Sequence, residues 1–211
     1  MAINNKIDTF SSFYSVSRET IEILKKYEEM LIKENKKLNL IGKSTINNIW
    51  ERHFMDSCQV IDFIDKNDKT LIDIGSGAGF PGLAIAIIAK ERNMSLKIRL
   101  IDKSPKKVKF LKKISKELNL NVDVVSANIF AEIDKARGDV IVARAFKPLK
   151  IILELIHKID ESWKKTFVFL GKSGHEELHH ASKIWDLKYK QRVSVTSNDS
   201  IVIEVNKLNR K

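Results

Sequence analysis

The segment Asp73-Ile-Gly-Ser-Gly-Ala-Gly-Phe-Pro-Gly82 is the strongest indication of the fold. It follows a short β-rich run at residues 70–75 and precedes an apolar helical segment that starts after Pro81. Glycines at this junction let the chain turn sharply and let a ligand approach the backbone without meeting a Cβ atom. We therefore expect a strand, a ligand-binding loop and a helix, in that order.

Alternating strand and helix patterns continue on the C-terminal side of this loop. We predict further strands at residues 96–102, 122–126, 139–143 and 166–170, and helices at residues 105–119, 148–160 and 176–185. Repeated strand–helix units predict a mostly parallel sheet with helices on both faces. Residues 188–196 and 200–205 are two alternating runs joined by residues 197–199, so we expect the chain to end in an antiparallel hairpin.

The segment before the loop predicts helices rather than strands. Ser17 is suited to cap a helix that ends near residues 35–37, and Ser44 is suited to cap a second helix that reaches Ile64. With 211 residues, 43% of them hydrophobic, the chain has material for one ordinary core rather than two. We therefore expect a helical appendage at residues 1–66 on one compact domain at residues 67–211.

The charge of the chain favours a polyanionic partner. Basic residues exceed acidic ones by 38 to 27, a net charge of +11. Nine of the basic residues fall between positions 97 and 116, where Asp102 is the only acid. A Lys or Arg that meets a phosphate releases a condensed counterion, which favours nucleic-acid binding. The alternative interpretation is a lysine-rich helix surface that is merely solvated.

Sequence patterns argue against several other classes of protein. The longest run without a charge, residues 74–89, is shorter than the roughly 20 apolar residues of a membrane helix, and the N-terminus lacks the apolar core of a secretory signal. We expect a cytoplasmic protein without a membrane partner. The single cysteine, Cys58, excludes an internal disulfide and is expected to be a buried structural thiol. His175-Glu-Glu-Leu-His179 matches a zinc-protease motif but falls in the first turn of a predicted helix, so we expect no metal site.

Two carboxylates belong to the predicted ligand site. Asp102 ends the next predicted strand, where its side chain can accept hydrogen bonds from ribose hydroxyls. Residues 77–82 also fit the dinucleotide pattern G-x-G-x-x-G, which leaves an NAD(P)-dependent oxidoreductase as an alternative. Asp73, however, stands two residues before the first glycine, where a negative charge disfavours a pyrophosphate and favours a cationic or amine-bearing ligand.

At this loop, and in its terminal hairpin, the sequence resembles the class I S-adenosylmethionine (SAM) methyltransferases. Read outward from the loop, it resembles more closely the bacterial small-subunit rRNA guanine-N7 methyltransferases, the RsmG or GidB family. The matching elements are Asn39-Leu-Ile41, Arg52-His-Phe-Met-Asp-Ser57, the glycine loop with its Pro-Gly ending, Asp102 with Lys106-Lys-Val-Lys-Phe-Leu111, and Ala143-Arg-Ala145.

The resemblance implies a fold, a cofactor and a reaction. The fold is the Rossmann-like α/β class I SAM-dependent methyltransferase fold, a mostly parallel seven-stranded sheet with a C-terminal antiparallel hairpin. The reaction is transfer of the SAM methyl group to N7 of a guanine in the 530 loop of 16S rRNA, so 16S rRNA or the small ribosomal subunit is the partner; we expect the enzyme to be a monomer. Guanine N7 offers an in-plane lone pair, so the transfer needs alignment but no general base. An RNA-binding or ribosome-assembly module with a vestigial cofactor loop is a further alternative.

The resemblance also implies site residues. Gly75 and Phe80 match positions on the methionine and ribose side of SAM, Ile129 and Phe130 match positions at the adenine, and Arg144 matches an arginine beside cofactor and substrate. Two places depart from the family pattern: Phe130, where many members have an acidic residue, and residues 171–173, where the family usually has Lys-Gly. The predicted cofactor-binding set is Asp73, Gly75, Gly77, Gly79, Phe80, Asp102, Ile129, Phe130 and Arg144.

Further candidates lie outside the glycine loop. Arg52 and Asp56 are four residues apart, so on a helix they share one face; they can form a surface ion pair, or join Arg144 in holding the amino-acid end of SAM or the target guanine. We expect His53 to be a core histidine bonded to the backbone rather than a catalyst. The RNA-binding candidates are Lys106, Lys107, Lys109, Lys113 and Lys172.

Overall fold

The structure is a computed structural model that describes residues 2–159 and 163–211. Its centre is a seven-stranded sheet with the strand order β3-β2-β1-β4-β5-β7-β6. Strands β1 to β5 are parallel, and β7 runs antiparallel to both β5 and β6. The bounds are β1 Thr70–Ile74, β2 Lys97–Asp102, β3 Val122–Ser126, β4 Val140–Arg144, β5 Lys165–Leu170, β6 Trp185–Ser194 and β7 Ser197–Arg210. The predicted sheet and its terminal hairpin are confirmed.

Helices cover both faces of the sheet. Successive strand residues point to opposite faces, so Leu71 belongs to the core under α1, α2, α4 and α5, and Ile72 belongs to the core under α6 and α7. The α-helices are α1 Ala2–Tyr14, α2 Arg18–Leu38, α3 Asp56–Cys58, α4 Gly82–Glu91, α5 Pro105–Glu117, α6 Leu149–Lys158 and α7 Gly174–Ile184. None of the helices in the described residues is both long and apolar enough to cross a membrane.

The N-terminal helices share a core with the sheet. Phe10, Tyr27 and Phe54 are buried in the same cluster as Leu83 of α4. Ser17 caps α2 as predicted, and its hydroxyl and amide also donate hydrogen bonds to the Glu91 carboxylate at the end of α4. The N-terminal helices therefore pack directly against the sheet.

The prediction of one regular helix from Ser44 to Ile64 is wrong. The chain forms a 3-10 helix at Lys43–Asn48, a π-helix at Trp50–Met55, α3, and a 3-10 helix at Ile61–Phe63. Apolar periodicity shows which side chains are buried, but it does not distinguish a regular α-helix from a chain of shorter turns. Helix α1 was not predicted because its polar residues form helices weakly, whereas packing of Phe10 and Tyr14 stabilises it.

The C-terminal hairpin differs from the prediction in its turn. Residues 195 and 196 form the connection, whereas residues 197–199 already belong to β7. Strand β6 starts at Trp185, so α7 ends at Ile184 instead of extending to residue 185. The polar sequence at 197–199 favours a turn locally, but hydrogen bonds to the distant side chains of Asp56 and Gln59 hold the turn at residues 194–196. Helix α6 ends at Lys158, and its predicted last residue, Asp160, lies outside the described residues.

Candidate functional site

The glycine loop lies at the carboxyl edge of β1, where parallel sheets commonly bind ligands. The amides of Gly75 and Ser76 both donate to the Ile101 carbonyl at the end of β2, at 2.9 and 3.0 Å. Gly75 has a φ of 78°, and a Cβ at this position would overlap the Phe146 ring. The loop therefore has its predicted shape because only glycine fits there.

Asp73, one of the predicted cofactor-binding residues, does not line either cavity beside the loop. Its side chain is fully buried, and Oδ2 accepts a 2.9 Å hydrogen bond from the Gly82 amide at the start of α4. Burial raises the pKa of this carboxyl to about 7. Asp73 thus anchors the C-terminal end of the glycine loop from its buried side. Gly79 also lies away from the cavities, because it packs against Tyr27 and Leu83.

Two adjoining cavities open at this edge of the sheet. The larger, about 410 Å³, is called here the arginine cavity, and the smaller, about 220 Å³, the aromatic cavity. Gly75, Lys107 and Ala145 line both cavities, so the glycine loop forms part of their common wall. Two ligands bound in these cavities would therefore lie next to each other.

The aromatic cavity brings together Asp102, Ile129 and Phe130 as predicted. Phe130 is 47% exposed and stacks almost parallel on Phe146, with 5.8 Å between ring centroids. The Asp102 carboxylate accepts hydrogen bonds from the amides of Gly77 and Ser104, at 2.9 and 2.8 Å. A carboxylate has about four acceptor positions, so Asp102 can hold the loop and still accept further hydrogen bonds.

The predicted residues Arg52, Asp56 and Arg144 line the arginine cavity. Asp56 forms its ion pair with Arg144, at 2.7 Å between Oδ2 and Nε, and not the surface pair with Arg52 that was one of the two alternatives. Arg52 instead offers its backbone carbonyl to Nη2 of Arg144, and Nη1 lies 3.3 Å from Nδ1 of His53. The pairing differs because the fold brings Arg144 of β4 within hydrogen-bonding distance of Asp56, whereas Arg52 is exposed.

His53 is buried as predicted, but its partners are side chains rather than the backbone. Its ring stacks on Phe80 at 4.9 Å, and Nε2 lies 2.9 Å from the Thr45 hydroxyl. Since Arg144 donates to Nδ1, the ring proton is on Nε2 and is donated to Thr45. Burial, followed by the charges of Arg144 and Arg52, lowers the pKa of His53 to about 3. The ring is therefore neutral at physiological pH.

Three further side chains, which the sequence did not indicate, converge on Asp56. Its Oδ1 accepts hydrogen bonds from Gln59 at 2.9 Å, Ser194 at 3.0 Å and Thr196 at 3.3 Å. Gln59 could have been found by its three-residue spacing from Asp56, whereas Ser194 and Thr196 lie more than a hundred residues away. No local sequence signal reports such a contact.

The predicted RNA-side lysines occupy different positions. Lys107 lines both cavities, whereas Lys106, Lys109 and Lys113 are exposed on the outer surface of α5. Lys172 follows β5, and its side chain is 88% exposed and 4.0 Å from Asp199. The lysines of α5 thus extend from the cavities along one helix surface.

The remaining sequence candidates lie outside both cavities. Cys58 is fully buried, and burial raises the pKa of its thiol, as expected of a structural cysteine. His175 and His179 are exposed on α7. Within residues 2–159 and 163–211 no three His, Cys, Asp or Glu side chains are grouped closely enough to hold a metal ion.

Comparison with known proteins identifies the family. The family model described as GidB, rRNA small subunit methyltransferase G, matches residues 20–202. The chain belongs to this family. Ribosomal RNA small subunit methyltransferase G of Pelagibacter ubique is 42% identical over 199 residues, which cover 93% of each chain. The resemblance seen in the sequence is therefore confirmed, and the protein is a SAM-dependent methyltransferase of the small-subunit rRNA.

Solved structures confirm the class I methyltransferase fold. A methyltransferase from Geobacter sulfurreducens superposes with a TM-score of 0.55 at 13% identity, covering 88% of each chain. TrmK of M. capricolum, solved with S-adenosyl-homocysteine, superposes with a TM-score of 0.52 at 17% identity, covering 72% of this chain and 67% of that one. At these identities the likeness concerns the fold alone.

Proposed function

We propose that this protein transfers the methyl group of SAM to N7 of a guanine in the 530 loop of 16S rRNA. The observation that carries the proposal is the pair of adjoining cavities, one lined by the glycine loop, Asp102 and aromatic side chains, the other by Arg144. A methyl transfer between two bound molecules requires this adjacency, because donor and acceptor must be held in line at short distance.

The residues of the aromatic cavity fit the adenosine part of SAM. Phe130, Phe146 and Ile129 provide apolar surface for a purine, and Asp102 provides acceptors for ribose hydroxyls. Because Gly75 has no Cβ atom, the Phe146 ring packs directly against the loop backbone and forms part of the cavity wall. When bound, SAM supplies an electrophilic methyl group on its sulfonium sulfur. Gly77 would hold the same ligand along the loop.

The residues of the arginine cavity fit an acceptor that needs no deprotonation. His53 has both ring nitrogens hydrogen-bonded and a pKa of about 3, so it is a poor base. Arg144 and Asp56 are already paired with each other. Guanine N7 attacks through its lone pair, so this wall has only to orient the base, with Arg144 as the positioning cation and Arg52 beside it.

The α5 lysines fit the role of phosphate contacts. Lys106, Lys109 and Lys113 extend the positive charge of Lys107 away from the cavities, and the chain carries a net charge of +11. Such contacts hold an RNA in place without reading its sequence. The guanine would be selected by RNA shape and by extrusion of one base into the cavity. Lys172 is the weaker candidate because its nearest charged partner is Asp199.

The test is methyl transfer from radiolabelled SAM to small subunits, and separately to naked 16S rRNA, from a strain that lacks this gene. We expect 7-methylguanosine, identified by mass spectrometry and mapped to the 530 loop. Label on another atom or another base would contradict the proposed acceptor while leaving the methyltransferase assignment intact. RNA binding without any label would instead support a ribosome-assembly module.

A further inference from the structure

The turn of the C-terminal hairpin is fastened to the ion pair of the arginine cavity. We define the hairpin turn as residues 194–197, which connect β6 to β7 at the carboxyl edge of β5. Ser200, three residues beyond this turn, lines the arginine cavity. The hairpin therefore contributes to the wall of the site as well as closing the sheet.

The fastening acts through a single carboxylate. Ser194 donates to Oδ1 of Asp56, and so does Gln59, while Oδ2 of the same side chain accepts from Arg144. Ser194, Gln59 and Asp56 are all buried or nearly so: Ser194 is 6% and Gln59 9% exposed. A carboxylate whose two oxygens are bonded on opposite sides has one orientation, and its plane sets the direction of the guanidinium that it binds.

Gln59 links Asp56 to the hairpin turn by hydrogen bonds to both. Its Nε2 donates to Asp56, and its Oε1 accepts the Val195 amide at 3.2 Å, within the hairpin turn. Strand pairing alone does not require these bonds, because the register of β7 is already set by its ladder with β5, which runs from Val205 to Ile201. The hydrogen bonds of Ser194 and Gln59 lie instead at Asp56, which lines the arginine cavity.

We infer that Ser194 and Gln59 are positioning residues for methyl transfer, which act by holding Asp56 so that Arg144 points into the arginine cavity. This inference rests on the proposed function. The step that they assist is the alignment of the acceptor base, and a misplacement of about 1 Å can slow a reaction about 100-fold. The hairpin turn is thus part of the catalytic arrangement although it lies 50 residues beyond Arg144.

Two substitutions test the inference with little change of shape. Ser194→Ala removes one donor from Asp56, and Gln59→Glu keeps the acceptor for the Val195 amide but replaces the donor by a negative charge beside Asp56. Asn206→Ala is the matched control, since it removes a hydrogen bond to Glu204 on the same hairpin, toward the start of β5 and away from the cavities. Single-turnover methyl transfer at saturating SAM and RNA, and the thermal midpoint, are measured for all four proteins.

We expect both variants to slow methyl transfer about tenfold or more, with Gln59→Glu the slower, while Asn206→Ala methylates within about twofold of wild type. The thermal midpoint of Ser194→Ala should stay close to that of Asn206→Ala, whereas the buried negative charge of Gln59→Glu should lower its midpoint. In an Asp56→Ala background we expect Ser194→Ala to cause no further loss, because the group through which it acts is gone. Rates within twofold of wild type would overturn the inference, and so would an undiminished loss in the Asp56→Ala background. A wild-type protein that does not methylate would instead contradict the proposed function.

Discussion

The two cavities are built in different ways. The aromatic cavity is formed by short runs of residues at four βα connections: the glycine loop after β1, Asp102 and its neighbours at the end of β2, residues 127–130 after β3, and residues 145–147 after β4. The arginine cavity joins Arg144 of β4 to side chains from residues 40–56 and to the start of β7. The first cavity therefore depends on local backbone geometry, and the second on contacts between distant parts of the chain. Substitutions that separate these two dependences test the comparison.

Gly75→Ala should have the largest effect. The added Cβ would overlap Phe146, and the φ of 78° disfavours any L side chain. We expect SAM affinity, measured by titration calorimetry, to fall about 100-fold or more. Gly171→Ala is the steric control: Gly171 lines the arginine cavity rather than the aromatic cavity, and a Cβ there meets nothing within 4 Å, so this variant should bind SAM as wild type does. Unchanged affinity in Gly75→Ala would remove the loop from the cofactor site.

Arg144→Ala should act on the reaction more than on the fold. The guanidinium makes three hydrogen bonds to the wall of the arginine cavity, and its loss leaves Asp56 without its cation. We expect methyl transfer to fall about 100-fold. The thermal midpoint is measured as well, and the free energy of unfolding should fall by less than the activation free energy of methyl transfer rises. Activity equal to wild type would show that the arginine cavity is not the acceptor site.

Asp102→Ala should weaken SAM binding by about tenfold to 100-fold. The substitution removes an acceptor for the ribose, and it also frees the Gly77 and Ser104 amides that hold the loop. Asp102→Asn keeps one strong acceptor, so its affinity should fall less. Calorimetry that gives equal affinity for Asp102→Ala and wild type would contradict the role of this carboxylate.

Each single substitution of an α5 lysine should lower the affinity for RNA by a few-fold. Substitution of Lys109 or Lys113 by Gln should weaken binding to 16S rRNA equally across sequences, and reduce the slope of log affinity against log salt by somewhat less than one unit per phosphate contact. SAM affinity should not change. A salt slope identical to wild type would mean that this helix surface is only solvated.

Asp73→Asn should have the smallest effect on function and a pH-dependent effect on stability. Its folded pKa of about 7 lies above the ordinary value of 3.8, so the folded protein binds more protons between these pH values, and stability decreases as pH rises through that interval. The Asn side chain can still accept the Gly82 amide but has no charge to bury. We therefore expect the advantage of Asp73→Asn in denaturant unfolding to grow from pH 5 to pH 8. A difference independent of pH would contradict the raised pKa.

Local sequence was sufficient to predict most strands of the sheet. Strand β3 at residues 122–126 follows from a β-rich run, and the turn at residues 75–79 follows from its glycines. Both effects act over a few residues. Residues 44–64 could not be predicted in the same way, because burial of Trp50, His53 and Phe54 is compatible with several helical geometries. The hairpin turn was misplaced for a similar reason, since Asp56 and Gln59 decide which residues form it.

Residue patterns alone were enough to predict the fold class, the glycine loop, the family and the residue types of the site. The physical basis is local: glycine alone tolerates the loop dihedrals, and side-chain periodicity reports which face of a strand is buried. Three features follow only from the folded chain: Asp56 binds Arg144 rather than Arg52, Asp73 is buried beneath the loop, and Ser194 reaches Asp56. Such contacts depend on how distant segments pack, because a charged side chain takes the partner that the fold brings within hydrogen-bonding distance.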